Sequence, residues 1–280
     1  MRRNSGILLV LGCVFLFSIY SCSKNTSSSS NSDNETQTAT DNAFAQGTSD
    51  DAVAMSSESE DNGMVGTITD STLGLMFNSH VNITLNVATS PKVLTIDFGS
   101  ADALCFDGKT RRGKVIVNFT GFYRDSGSNH TITFDNYYVN DNKIDGSITV
   151  VNNGHNTAGN LTYSVKSMLT ITDTAGNTLT YNGDHTREWV AGEATAGIRG
   201  WADDVYSITG SSSGTTFTGT QFSSNITSAL IFALNCKWIE KGTIEFKPAG
   251  KLTRTIDFGN GDCDNVATVT IAGISFNILL

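Results

Sequence analysis

Basic residues are scarce in this chain of 280 residues: 18 Lys and Arg stand against 27 Asp and Glu, a net charge of −9. A nucleic-acid binder needs a basic face, so a pI near 4.8 excludes that class. Only two prolines occur, which excludes collagen-like and polyproline architecture. Five cysteines are too few for a scaffold built from disulfides. A charged fraction of 16% beside 39% hydrophobic residues excludes disorder over the whole chain. The sequence holds no P-loop, and its four His (80, 130, 155 and 185) have no zinc spacing. What remains is one globular domain of ordinary size, or two.

The apolar run from Ile7 to Tyr20 follows Arg2 and Arg3. It is shorter than the roughly 20 residues of a membrane span and has the form of a signal peptide over residues 1–21. It ends Ile19-Tyr20-Ser21-Cys22. That ending resembles the bacterial lipobox, which implies cleavage before Cys22 and acylation of its thiol. Acyl chains at about 0.8 kcal/mol per buried CH₂ make a lasting anchor. Residues 22–63 are rich in Ser, Thr, Asn and Asp. Such a segment is expected to be a flexible acidic tether, with a short helix over 50–61. It carries eight acids against Lys24, so the acidity of the protein sits largely in the tether.

From residue 64 to 280, period-2 runs alternate with Gly, Asn and Asp turns. Strands are expected at 114–120, 130–139, 144–151, 160–172, 178–181, 205–209, 224–232, 242–246, 253–258, 267–271 and 274–279. Ala272-Gly273 reads as a tight hairpin. No window beyond residue 64 has a helical period. Short connections imply an antiparallel meander, so the fold is all-β: a large antiparallel sandwich or flattened barrel after the tether. Thr95-Ile96-Asp97-Phe98-Gly99 recurs as Thr255-Ile256-Asp257-Phe258-Gly259, each followed by an acidic loop with a Cys.

Three cysteines remain in the β domain. An up-down-up arrangement of strands puts Cys236 and Cys263 at one end of the sheet, within the roughly 5.5 Å that a bridge requires. Closing that loop is worth about 3–4 kcal/mol. Cys105 is left unpaired, or competes for Cys263.

Candidate chemistry lies in two places. The acids Asp97, Asp102 and Asp107, or Asp257, Asp262 and Asp264, could hold Ca²⁺, although neither set has the spacing of an EF-hand loop. Ordinary turn acids are the competing reading, with no metal or other cofactor. The stretch from Thr186 to Tyr206 brings Glu188, Trp189, Trp201, Asp203, Asp204 and Tyr206 together in sequence. Rings beside carboxylates suit a glycan site, and Glu188 with Asp203 or Asp204 could serve as an acid/base pair. Against this, Thr186-Arg187-Glu188-Trp189 alternates as a strand, with Arg187 and Trp189 on one face and Glu188 on the other.

Several segments together resemble a lipoprotein family of Bacteroidetes: 95–99 through 107–114, Phe134 to Asp141, Asp203 to Gly210, and Asp262-Cys263-Asp264-Asn265. The resemblance spans most of residues 91–280. It implies lineage and an outer-membrane location, and assigns no activity. Relatives carry a further Cys upstream of the first echo loop, which residues 78–90 lack. In such lipoproteins surface export favours acids soon after the lipidated Cys. Here Lys24 comes early and the first acid is Asp33, which leans to the periplasmic leaflet and leaves the choice of face open. The sequence thus reads as a lipid-anchored outer-membrane lipoprotein with a non-catalytic binding or structural domain, its partners the membrane and a glycan or envelope protein. The alternatives are a glycan-binding accessory protein and a glycoside hydrolase.

Overall fold

Alternating Val, Ile, Thr and aromatic residues become strand wherever the period of two appears. The computed structural model describes residues 33–61, 66–67, 74–78, 80–195 and 200–280. The expected signal peptide (1–21), Cys22 and residues 23–32 and 62–63 of the expected tether lie outside the described residues. The strands are β1 (Gly66–Thr67), β2 (Asn82–Asn86), β3 (Lys92–Asp97), β4 (Ala103–Leu104), β5 (Thr110–Phe119), β6 (Asn129–Val139), β7 (Asn142–His155) and β8 (Leu161–Thr172). They continue as β9 (Thr178–Ala191), β10 (Val205–Thr215), β11 (Gln221–Ala233), β12 (Lys241–Pro248), β13 (Arg254–Asn260), β14 (Val266–Ile271) and β15 (Ile274–Leu279). All belong to one sheet in which neighbours in sequence are neighbours in space, except that β3 pairs with β5 and β4 joins only β5. Every described pairing is antiparallel. The expected all-β antiparallel meander is what the chain forms, and it is a single continuous sheet.

The tether expectation is corrected at this point. Residues Gln37–Asp61 form one helix, α1, of 25 residues, and the short helix expected over 50–61 is its C-terminal half. From residue 41 to residue 60 every position is buried except Phe44 and Gly47, which are half-buried. Its polar side chains reach strands from β5 to β10: Asp51 meets Arg111, Ser49 meets Ser167 and Asn42 meets Ser212. The residues just ahead of the helix, Asp33 and Glu35, meet Arg254 of β13. A flat sheet could cover only one side of a helix, so burial on nearly every side requires the sheet to curl around it.

The inward face of the sheet explains the core. Leu161, Tyr163, Val165, Ser167, Leu169 and Ile171 of β8 point in, and Lys166 and Met168 point out. Strand β9 repeats the pattern, with Tyr181, His185, Arg187 and Trp189 inside and Asn182, Asp184 and Thr186 in water. Curling is helped by bulges at glycine. Gly113 has φ +83°, and a Cβ there would sit 1.9 Å from the Asn136 carbonyl oxygen, at the register shift between β5 and β6. Gly210 has φ +125° beside the shift in β10, with the Asp184 carbonyl oxygen 2.2 Å from where its Cβ would be.

The expected bridge is present: Cys236 and Cys263 are joined, with Cα atoms 5.7 Å apart, linking the β11–β12 and β13–β14 loops. Cys105 is an unbridged, buried thiol, and burial pushes its pKa up, so it is a poor nucleophile. Gly113→Ala combines left-handed backbone with a main-chain clash. We expect it to lower the free energy of unfolding by about 2–3 kcal/mol, read by urea denaturation with an unchanged m-value.

Candidate functional site

The helix is polar on every side, so its burial needs partners at each level. Some lie within it: Gln37 Nε2 donates to Asp41 at 2.8 Å, Gln46 Nε2 donates to Asp50 at 2.8 Å, and Thr48 Oγ1 donates to the Phe44 carbonyl at 2.8 Å. The rest come from the sheet. At its start, Arg254 donates to Asp33 at 2.8 Å and also engages Glu35. In the middle, the fully buried Arg111 forks onto both oxygens of Asp107 at 2.9 and 2.7 Å and reaches Asp51 at 2.9 Å, and Lys109 donates to the same Asp51 oxygen at 2.7 Å. At its end, His130 Nε2 lies 3.0 Å from Glu60 Oε2. Tyr181 donates to Gln46 at 2.5 Å.

Between the middle and end contacts lies a buried ionisable cluster. The Arg187 guanidinium stacks on the Tyr206 ring at 3.7 Å and is 1% exposed. It acts electrostatically on Asp50 and Glu58 of α1 and on Asp204. Burial is the leading influence on all three carboxyls. It pushes Asp50 up to about 6, Asp204 up to about 7, and Glu58 well above the usual range. Burial also pushes His185 down to about 4. Neutral carboxyls and a neutral imidazole are the forms a water-poor interior favours.

The residues expected to form a glycan site do not converge. Trp189, Trp201 and Tyr206 are all buried, at 1%, 5% and 0% exposure, so no stacking platform faces water. Trp189 and Tyr206 stack on each other instead, with centroids 5.5 Å apart. Glu188 lies on the opposite face of β9 from Arg187 and Trp189, as the alternation indicated. There it accepts from Asn160 and Asn156 at 2.8 Å each, and these bonds lower its pKa. Asp204 is turned inward and Asp203 outward, the latter accepting from Thr195 at 2.9 Å. Glu188 and Asp204 therefore stand on opposite sides of the sheet, which removes them as an acid/base pair acting on one substrate bond. Asp203 is already engaged by Thr195.

Among the described residues, the three acids of the first echo loop form no convergent set. Asp97 pairs with Lys114 at 2.9 Å, Asp102 with Arg112 at 2.5 Å and Asp107 with Arg111, so the three are divided among bases. In the second loop, Asp257 and Asp264 each accept a local backbone N–H at 2.9 Å. Among the described residues, the only convergent set of metal-ligand atoms is Cys236, Glu240 and Cys263. Its two sulfurs are already joined to each other. The echo is structural: Asp97 accepts from Gly99 N–H, and Asp257 from Gly259 N–H, both at 2.9 Å, closing identical turns at strand ends.

The strand alternation does hold a signal for the helix. Arg111, Arg187 and Arg254 all fall on inward positions, where an unpaired charge is untenable. Counterions had to come from elsewhere in the chain, and the acid-rich segment before residue 62 holds most of them.

Comparison of the chain with protein-family models, with curated proteins and with solved structures returns no match. The class that the fold defines is an antiparallel meander curled around its own acidic N-terminal helix.

A carboxyl held above its unfolded pKa stabilises the fold at low pH. That contribution is lost as pH rises through the folded value. His185, held below its unfolded value, acts in the opposite sense over an overlapping range. The difference between wild type and Asp50→Asn isolates the Asp50 carboxyl. The amide variant should gain on wild type by up to about 3 kcal/mol between pH 4 and 7, measured by urea unfolding at several pH values.

Proposed function

We propose that this protein is a lipid-anchored lipoprotein of the bacterial outer membrane whose β domain binds or scaffolds and does not catalyse. The observation that carries the non-catalytic reading is the occupation of the sheet's interior by the chain's own helix. The space where a curled sheet would hold a substrate is filled by α1 and by the side chains packed around it. The acids best suited to acid–base work are split between faces or committed to neighbours. Burial of Trp189, Trp201 and Tyr206 turns the reading away from a glycan accessory protein and towards an envelope scaffold or a binder of another ligand.

The anchor rests on the sequence. Ile19-Tyr20-Ser21-Cys22 closes an apolar run preceded by Arg2 and Arg3, and the lineage resemblance agrees with it.

Radiolabelled palmitate should enter the wild-type protein, and Cys22→Ser should abolish labelling and move the protein out of the membrane fraction. A Cys22→Ser protein that stays with membranes defeats the anchor.

A further inference from the structure

The enclosure of α1 has one gap. Its least buried positions are Gln37, Thr40, Phe44 and Gly47, spaced as one helical stripe. Above that stripe lies a cleft of about 510 Å³, within the range of small-molecule sites. Its lining includes Gly108, Lys109, Asn140, Phe232, Trp238 and Leu280. Lys237 Nζ is 3.6 Å from where a Cβ on Gly108 would sit.

Two features set this cleft apart from a packing gap. The first is Gly47, in the middle of a long helix, where glycine costs about 1 kcal/mol relative to alanine. Nothing lies within 4 Å of its missing Cβ, so the floor is open where any other residue would partly fill it. The second is the charge balance. Asp41 accepts from Gln37 Nε2 and from the Phe217 N–H. Asp51 and Asp107 are held by Lys109 and Arg111. Asp173 accepts from the N–H groups of its own turn, Ala175 and Asn177. Lys237 has no carboxylate partner among the described residues, and its ammonium lies 5.7 Å from the Trp238 ring centroid. The cleft thus has an apolar strip within a mixed lining, and Lys237 is the lining cation that has no carboxylate partner among the described residues.

We infer that this cleft binds a single-chain anionic amphiphile, its head group on Lys237 and its apolar body along the Phe44–Gly47 stripe. This deepens the binding half of the reading above and rests on that half alone. An apolar body gains by covering Phe44, Phe217 and Trp238, and an ammonium with no carboxylate partner among the described residues is the group that selects a negative head.

The test uses the full chain carrying Cys22→Ser, so that no acyl anchor competes. 11-(Dansylamino)undecanoic acid should bind at one saturable site with a rise in emission, and lauric acid should displace it. Lys237→Met should weaken laurate at least tenfold and leave dodecanol unchanged. Gly47→Leu fills the trough and raises helix propensity. It should abolish binding while melting at or above the wild-type temperature, which separates loss of the site from loss of the fold. The inference is overturned if laurate shows no saturable binding, if Gly47→Leu binds as wild type does, if Lys237→Met binds laurate unchanged, or if dodecyltrimethylammonium binds more tightly than laurate. Retention of the Cys22→Ser chain in membranes counts against the anchor and leaves the cleft standing.

Discussion

A helix with acids on several faces and no base cannot leave water unless opposite charge is waiting for it. Here the waiting charge is built in around the helix, as Arg254, Arg111 with Lys109, and Arg187, and the His130 ring hydrogen-bonds at the helix end. These groups would be as costly to bury alone as the helix would be. Each side therefore makes the other tolerable, and the rest of the architecture follows. The sheet must curl, because the acids point in several directions. Its strands must place Arg on inward positions, and glycine bulges must relieve the curvature. Buried ion pairs of this kind are weak sources of net stability. Their larger effect here is on register, because a helix displaced by one turn would strand several charges at once.

Much of the β domain was legible because strand periodicity is local. Val115, Val117 and Phe119 alternate with polar residues within one strand, and the Ala272-Gly273 hairpin announces itself in two residues. The Cys236–Cys263 bridge followed from meander topology alone. The helix was illegible for a definite reason. Its Ser, Thr, Asp and Glu residues lie all round the axis, so no apolar stripe forms, and intrinsic propensity is modest. What makes it helical is held in strands 60 to 170 positions away. The ring cluster misled for the opposite reason. Trp189, Trp201 and Tyr206 are close in sequence, but the alternation of β9 and β10 turns them inward, where they pack on each other and on Arg187.

The outer surface follows the same division. Charged side chains that face water on β8 and β9, such as Lys166 and Asp184, pair across the strands at 2.7 Å. Both groups are well exposed, so the pair adds little stability. The chemical character of the molecule is thus inverted relative to a simple globule. Its most consequential charges are inside, and the surface is largely hydroxyl and amide. The apolar trough over Phe44 is the place where the inner helix can still be reached from outside.

Burial of the N-terminal helix also sets an order in time. A chain emerges from synthesis with its N-terminus first, so the helix segment exists long before its partners. Ser167 and Tyr181 come more than a hundred residues later, and Arg254 near the end. Until β13 has been made, the acids just ahead of α1 lack their counterion, and the sheet that encloses the helix is incomplete. Contacts of such long range make for slow folding. The Ser- and Asp-rich composition that disguises the helix is suited to that wait: it keeps the segment solvated and uncommitted until the last strands arrive to enclose it.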